Sequence, residues 1–63
     1  MNPIRKYRKE NKMTQDELAE KLGVLQTSIS QWELGLCKPR ILTLFKMADL
    51  FKCKVDDLLR EEA

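Results

Sequence analysis

Three kinds of side chain could give this chain a chemistry, and two of them fail on inspection. There is no histidine among the 63 residues, and the two cysteines, Cys37 and Cys53, lie sixteen positions apart with no C-x-x-C pair. Without an imidazole, no serine or cysteine has its usual base, and the common zinc sets cannot be assembled. Catalysis, a metal site and a cofactor are therefore not expected. Both cysteines are expected as free thiols, Cys53 as a small core residue and Cys37 in a loop. The third kind is directional hydrogen bonding. Projected at about 100° per residue, Leu25, Ile29 and Trp32 point to one side of a short helix. Thr27, Ser30 and Gln31 point to the other, with Gln26 beside them at the helix start. An exposed face made of amides and hydroxyls, rather than lysine and glutamate, presents a hydrogen-bonding edge.

That edge needs elements to hold it. A chain of 7.4 kDa accommodates one small domain, residues 1–63, and has little interior for a walled catalytic pocket. Charged residues make up 35% and hydrophobic ones 43%, the profile of a compact, helix-rich domain. No stretch reaches the roughly 18 apolar residues of a membrane span, and no apolar segment follows the basic first residues, so a cytoplasmic protein without a leader is expected. The net charge of +2 conceals an asymmetry: residues 1–12 carry five bases and one acid, and residues 49–63 three bases and five acids. Bases cluster in the first segment and around Lys38, Arg40 and Lys46, so a polyanionic partner is compatible with the small total.

Five segments have helical spacing and none reads as a strand. The first opens at Asn2-Pro3 and runs to about Glu10, a cap residue followed by a proline suited to the first helical position. The second opens at Thr14, whose Thr14-x-x-Glu17 is a capping box, buries Leu18, Ala19 and Leu22, and stops at Gly23. A third spans about Gln26 to Leu34. A fourth runs from about Ile41 to Phe51, with Ile41, Leu44, Ala48 and Phe51 expected as its buried stripe. A short fifth helix holds Val55, Leu58 and Leu59, and the tail at 60–63 is expected to fray.

The segment Gln15 to Leu34 joins a capped helix, a glycine break and a second helix with almost no linker. Ala19 offers only a methyl group where the two helices approach, Gly23 supplies the turn, and Ile29 and Trp32 pack the second helix on the first. From Ile4-Arg5-Lys6 through Met13-Thr14-Gln15-Asp16-Glu17-Leu18-Ala19, Gln26-Thr27-Ser28-Ile29-Ser30-Gln31-Trp32-Glu33 and Lys38-Pro39 to Val55-Asp56-Asp57-Leu58-Leu59, the sequence closely resembles the Cro/cI-type (xenobiotic-response-element, lambda-repressor-like) helix-turn-helix family of transcription regulators. The resemblance implies an all-α, five-helix domain whose third helix enters the DNA major groove.

By that resemblance Gln26, Thr27 and Gln31 match positions that read base edges, and Ser30 shares their face. A glutamine amide can bond both N7 and N6 of adenine, and no Arg or Lys between Gln26 and Leu34 offers the bidentate guanine contact, so adenine contacts are expected. Gln15 resembles a phosphate-binding residue that also braces the first glutamine of the recognition helix. Lys38 and Arg40, with Lys12 across the groove, are placed for phosphates. Arg8 and Glu33 match a structural pair bridging the first helix to the third.

Three departures from the family pattern stand out. Leu25 occupies a position usually held by a capping Ser or Thr. Leu34, Leu36 and Cys37 make the end of the recognition helix unusually apolar. Lys54 and Arg40 take positions that are often caps. Related regulators pair through this loop and the start of the last helix, here Leu36, Arg40, Lys54 and Asp57, which implies a homodimer on a palindromic operator. The expectation is a double-stranded-DNA-binding regulator, acting as a repressor, with no membrane and no small-molecule ligand. A bacterial or phage source follows by analogy alone. The alternative is a protein-interaction module such as an antitoxin component, with the Leu34–Cys37 patch as its docking surface.

Overall fold

The computed structural model describes residues 2–60, so of the expected frayed tail the positions 61–63 lie outside the described residues. Five helices follow one another: α1 (Pro3–Glu10), α2 (Gln15–Leu22), α3 (Gln26–Glu33), α4 (Ile41–Phe51) and α5 (Val55–Leu59). Among the described residues there is no strand, and the chain forms an all-helical, five-helix arrangement. Helices α2 and α3 pack on each other, α1 lies against α3 and α5, and α4 against α2 and α5.

The starts of the first two helices follow from their cap residues. Asn2 accepts from the N–H groups of Ile4 at 2.9 Å and Arg5 at 3.3 Å, satisfying donors that the first turn leaves without partners. Thr14 and Glu17 close the capping box reciprocally: the Glu17 N–H donates to Thr14 Oγ1 at 3.1 Å and the Thr14 N–H to Glu17 Oε1 at 3.0 Å. These bonds favour the charged carboxylate and hold Glu17 below its ordinary pKa, the backbone bond contributing most. Helices α3 and α4 begin at Leu25 and Arg40 without any side-chain cap.

The ends share one device. After each of the first four helices a residue enters the left-handed region, and the next N–H reaches back to a carbonyl five residues before it. Lys12, Gly23, Gly35 and Lys52 have φ of 56°, 71°, 76° and 54°. The returning bonds run from Met13 to Arg8, Val24 to Ala19, Leu36 to Gln31 and Cys53 to Ala48, at 2.9–3.1 Å. In three of the four turns the returning residue, Met13, Val24 or Cys53, packs against the core. Leu36 does not, and is 72% exposed.

The core comprises Ile4, Leu18, Ala19, Leu22, Ile29, Trp32, Leu44, Met47, Ala48, Phe51 and Leu58, with Tyr7 stacked on Phe51 at 5.9 Å between ring centres. Two expectations are corrected here. Leu25 does not point inward but is 72% exposed, because its backbone is extended rather than helical and the 100° projection fails at a cap; Val24 takes the core position instead. Ile41 is not part of the buried stripe and is 56% exposed. Helix α4 is turned so that Leu44, Met47, Ala48 and Phe51 face inward, at i, i+3, i+4 and i+7, which leaves Ile41 on the rim and fully buries Met47.

Candidate nucleic-acid interface

Helix α3 is anchored by its inner residues and presents its outer ones. Ile29 is fully buried and Trp32 nearly so, while Gln26, Thr27 and Gln31 are exposed and Ser30 is half-buried. Ala19 is buried, and Gly23 sits in the left-handed turn joining α2 to α3 with open space around the position of a missing Cβ. The turn therefore requires the backbone freedom of glycine rather than its small volume.

A chain of polar contacts runs across the base of this face. Arg8 clamps Glu33 with two parallel bonds, Nε to Oε2 at 2.6 Å and Nη2 to Oε1 at 3.1 Å, and its Nη1 donates to the Met13 carbonyl at 2.8 Å. The two side chains are 11% and 5% exposed, so the pair joining α1 to α3 is largely desolvated. Its hydrogen bonds push the Arg8 guanidinium further up than usual, against the opposing effect of burial. Gln15, the first residue of α2, donates from Nε2 to Glu33 Oε1 at 3.1 Å, and Gln26 donates from Nε2 to Gln15 Oε1. At the other end, the Asn2 amide donates to the Trp32 carbonyl at 3.0 Å, and the Cys37 thiol to Gln31 Oε1 at 3.7 Å.

The expected phosphate contacts fall into two groups. Lys12 follows α1 and precedes Gln15 by three residues; Lys38 and Arg40 lie in the connector after α3. All three bases are exposed, and their side chains form no ion pair with other described residues. Of the expected contact residues between copies, Leu36, Arg40 and Lys54 are exposed; Asp57 is half-buried, its Oδ2 accepting from the Lys54 N–H at 3.1 Å.

Sequence reasoning missed four features. The Gln15–Glu33 bond was legible only as the seven-residue spacing of Gln26 and Glu33, which places both on one side of α3. The Asn2–Trp32 and Cys37–Gln31 contacts have no sequence signature. The outward face of α4 is apolar, with Leu42 71% and Phe45 57% exposed in addition to Ile41. Both thiols are free; burial pushes Cys53 up in pKa, with Asp57 adding to the shift, and Cys37 is exposed. Among the described residues no cluster of His, Cys, Asp or Glu could hold a metal ion, and no helix is long and apolar enough to cross a membrane.

Comparison with known proteins places this geometry in context. A family model described as helix-turn-helix matches residues 4–58. An uncharacterized HTH-type transcriptional regulator of Bacillus subtilis is 33% identical over 95% of this chain and 52% of its own length. One from Methanocaldococcus jannaschii is 37% identical over 90% of this chain and 86% of its own. The HTH-type transcriptional activator BcrR of Enterococcus faecalis is 36% identical over 94% of this chain but only 29% of its own length. The chain thus spans about half of the Bacillus relative, and the relatives come from archaea as well as bacteria. No solved structure gives a significant match.

Proposed function

The chain belongs to the Cro/cI-type helix-turn-helix family of DNA-binding transcription regulators, and from that premise we propose that it reads an operator with α3 as a twofold dimer and represses by occupying it. One observation carries the reading: a short helix, pinned by Ile29, Trp32 and the Arg8–Glu33 pair, turns uncharged amides and hydroxyls outward. Gln26, Thr27 and Gln31, with Ser30 beside them, meet base edges. The amides can donate to N7 and accept from N6 of adenine, and Thr27 can touch a thymine methyl. The absence of Arg and Lys from Gln26 to Leu34 makes adenine, rather than guanine, the main base contacted.

Phosphates are held at both ends of the recognition helix. Gln15 and Lys12 serve the strand at the Gln26 end, and Lys38 and Arg40 the strand beyond Leu34, setting register and salt dependence without reading sequence. The dimer forms through Leu36, Arg40, Lys54 and Asp57, and the exposed Leu34 and Leu42 supply further apolar surface for it to cover. Two recognition helices then lie about 34 Å apart, one DNA turn, on a palindrome. Repression follows from overlap of operator and promoter. The protein acts in the cytoplasm, where its DNA is.

Selection of bound sites from random duplex DNA tests this. A palindrome with A·T-rich half-sites is the expected product, and its affinity falls steeply as salt rises. Recovery of no preferred sequence, or a protein partner that co-purifies in place of DNA, favours the interaction-module reading of the Leu34–Cys37 segment. Transcription from a promoter overlapping the selected site distinguishes a repressor from an activator of the kind named in Enterococcus faecalis.

A further inference from the structure

The contacts beneath α3 do more than brace it, because they have a direction. A carboxylate only accepts hydrogen bonds, so the amide that meets Glu33 must present nitrogen. Gln15 therefore turns Nε2 to Glu33 and Oε1 away from it. That oxygen also only accepts, so Gln26 must in turn present its own Nε2 to Gln15. Gln26 is left with Oε1 and one remaining Nε2 hydrogen for a ligand, in one spatial order. The charge at the head of the chain is itself fixed, since both Glu33 oxygens are occupied by the Arg8 fork and the pair is nearly buried.

We infer that Glu33, locked by Arg8, is a positioning residue for base recognition: through Gln15 it sets which end of the Gln26 amide donates and which accepts at the DNA edge. The inference rests on the reading of Gln26 as a base contact and adds to it the origin of its polarity. Adenine offers an acceptor at N7 beside a donor at N6, and an amide of fixed polarity matches that pair in one order only. An amide free to rotate by half a turn presents both orders and discriminates less. Specificity at the start of the recognition helix is thus set in part by Glu33 at its far end, held by Arg8 of α1.

The test compares the selected site with its three single-pair variants at the position where Gln26→Ala removes preference. The wild type should discriminate there by about 5- to 150-fold, the range of a good bidentate contact. Two changes free the amide. Gln15→Met leaves the Arg8–Glu33 pair intact, and the double variant Arg8→Met with Glu33→Met exchanges the pair for apolar volume, a replacement that buried pairs commonly tolerate. In both, discrimination at the Gln26 position should shrink to within about threefold, while the preference at the pair read by Gln31 and the melting cooperativity persist. Full preference retained by Gln15→Met, or by a folded double variant, overturns the inference and leaves Gln26 as a reader whose polarity is set otherwise. No lost preference in Gln26→Ala overturns the base-reading function itself, and the positioning role falls with it.

Discussion

Gln26 and Lys38 both stand at the edge of α3, yet they should fail differently when removed. Gln26→Ala, like Gln31→Ala, deletes a base contact and should cost about 1–3 kcal/mol on the operator while sparing binding to unrelated DNA. Lys38→Ala removes a charge that no other described side chain pairs, so affinity should fall evenly on all sequences and the dependence on log salt should flatten by about one unit. Filter binding on operator and random duplex at several salt concentrations separates the two; equal losses on both DNAs for Gln26→Ala would remove it from the reading set. Leu25 is a third case. It caps α3 with a side chain that accepts no hydrogen bond and leaves 72% of its surface in water. Leu25→Ser should therefore stabilise the domain by about 1 kcal/mol, read as a higher denaturation midpoint, because it supplies the acceptor the first turn lacks and covers less apolar surface with water. The Arg8–Glu33 pair shows the opposite sign: Arg8→Ala strands a carboxylate that is 5% exposed and should cost about 3–5 kcal/mol, so its loss of DNA binding would report unfolding.

At the scale of elements, the repeated left-handed turn explains why α1 to α4 end where they do, and it marks where the chain works against its own preferences. Gly23 and Gly35 adopt positive φ freely, whereas Lys12 and Lys52 bear a Cβ in a region that costs an ordinary residue about 1–2 kcal/mol. Lys52 is exposed and remote from the recognition helix in sequence, so Lys52→Gly is the clean probe. Allowing for the extra entropy glycine loses on folding, it should stabilise by about 1 kcal/mol and raise Tm by roughly 5 °C, with DNA affinity unchanged; a lower Tm would show that the lysine stem packs usefully. The capping box adds a pH term. Glu17 is held below its ordinary pKa, so its stabilising contribution is complete above the usual glutamate range and drains away as pH falls through and below that range. Glu17→Gln should flatten this acid-side decline in thermal melts. These features also divide what a sequence reveals from what it hides. The Asn2-Pro3 start, the Thr14–Glu17 box and the stop at Gly23 have local causes, and the helix limits they set agree with the fold to within a residue. Lys12 and Lys52 carry no signal for the same turn, because nothing local distinguishes a strained lysine from a solvated one. Ile41 misled for a related reason: Ile41 and Met47 were equally able to complete the stripe of α4, and only packing against α2 and α5 chose between them. The face of Gln26, Thr27 and Gln31 was legible from periodicity, and the resemblance implied the bond between Gln15 and Gln26, but the further bond from Gln15 to Glu33 depends on how α2 meets α3.

For the whole molecule, the question is what covers the apolar run that begins at the end of the recognition helix. Leu34, Leu36 and Leu42 are each more than 70% exposed, and Ile41 and Phe45 more than half. Leu36 is telling, because it occupies the position that Met13, Val24 and Cys53 fill with a core contact in the other three turns. A leucine left outward there gains nothing for the monomer, since apolar area in water is worth about 25 cal/mol per Å² only once it is removed from water. A second copy related by a twofold axis would remove it on both subunits at once, and an interface of ordinary stability needs about 800 Å² from each. Leu36→Asp and Leu42→Asp alter side chains that lie outside the core, so the fold and its melting temperature should stay within about 0.5 kcal/mol of wild type. Dimer formation should weaken by at least tenfold, because each symmetric interface would desolvate two carboxylates at its apolar centre. On a palindromic operator the wild-type binding curve should be steep and the variants' shallow, while affinity for an isolated half-site remains unchanged. Sedimentation and half-site titrations together decide the matter: variants that sediment and bind as the wild type does would assign the leucines to another partner and leave each recognition helix to act alone.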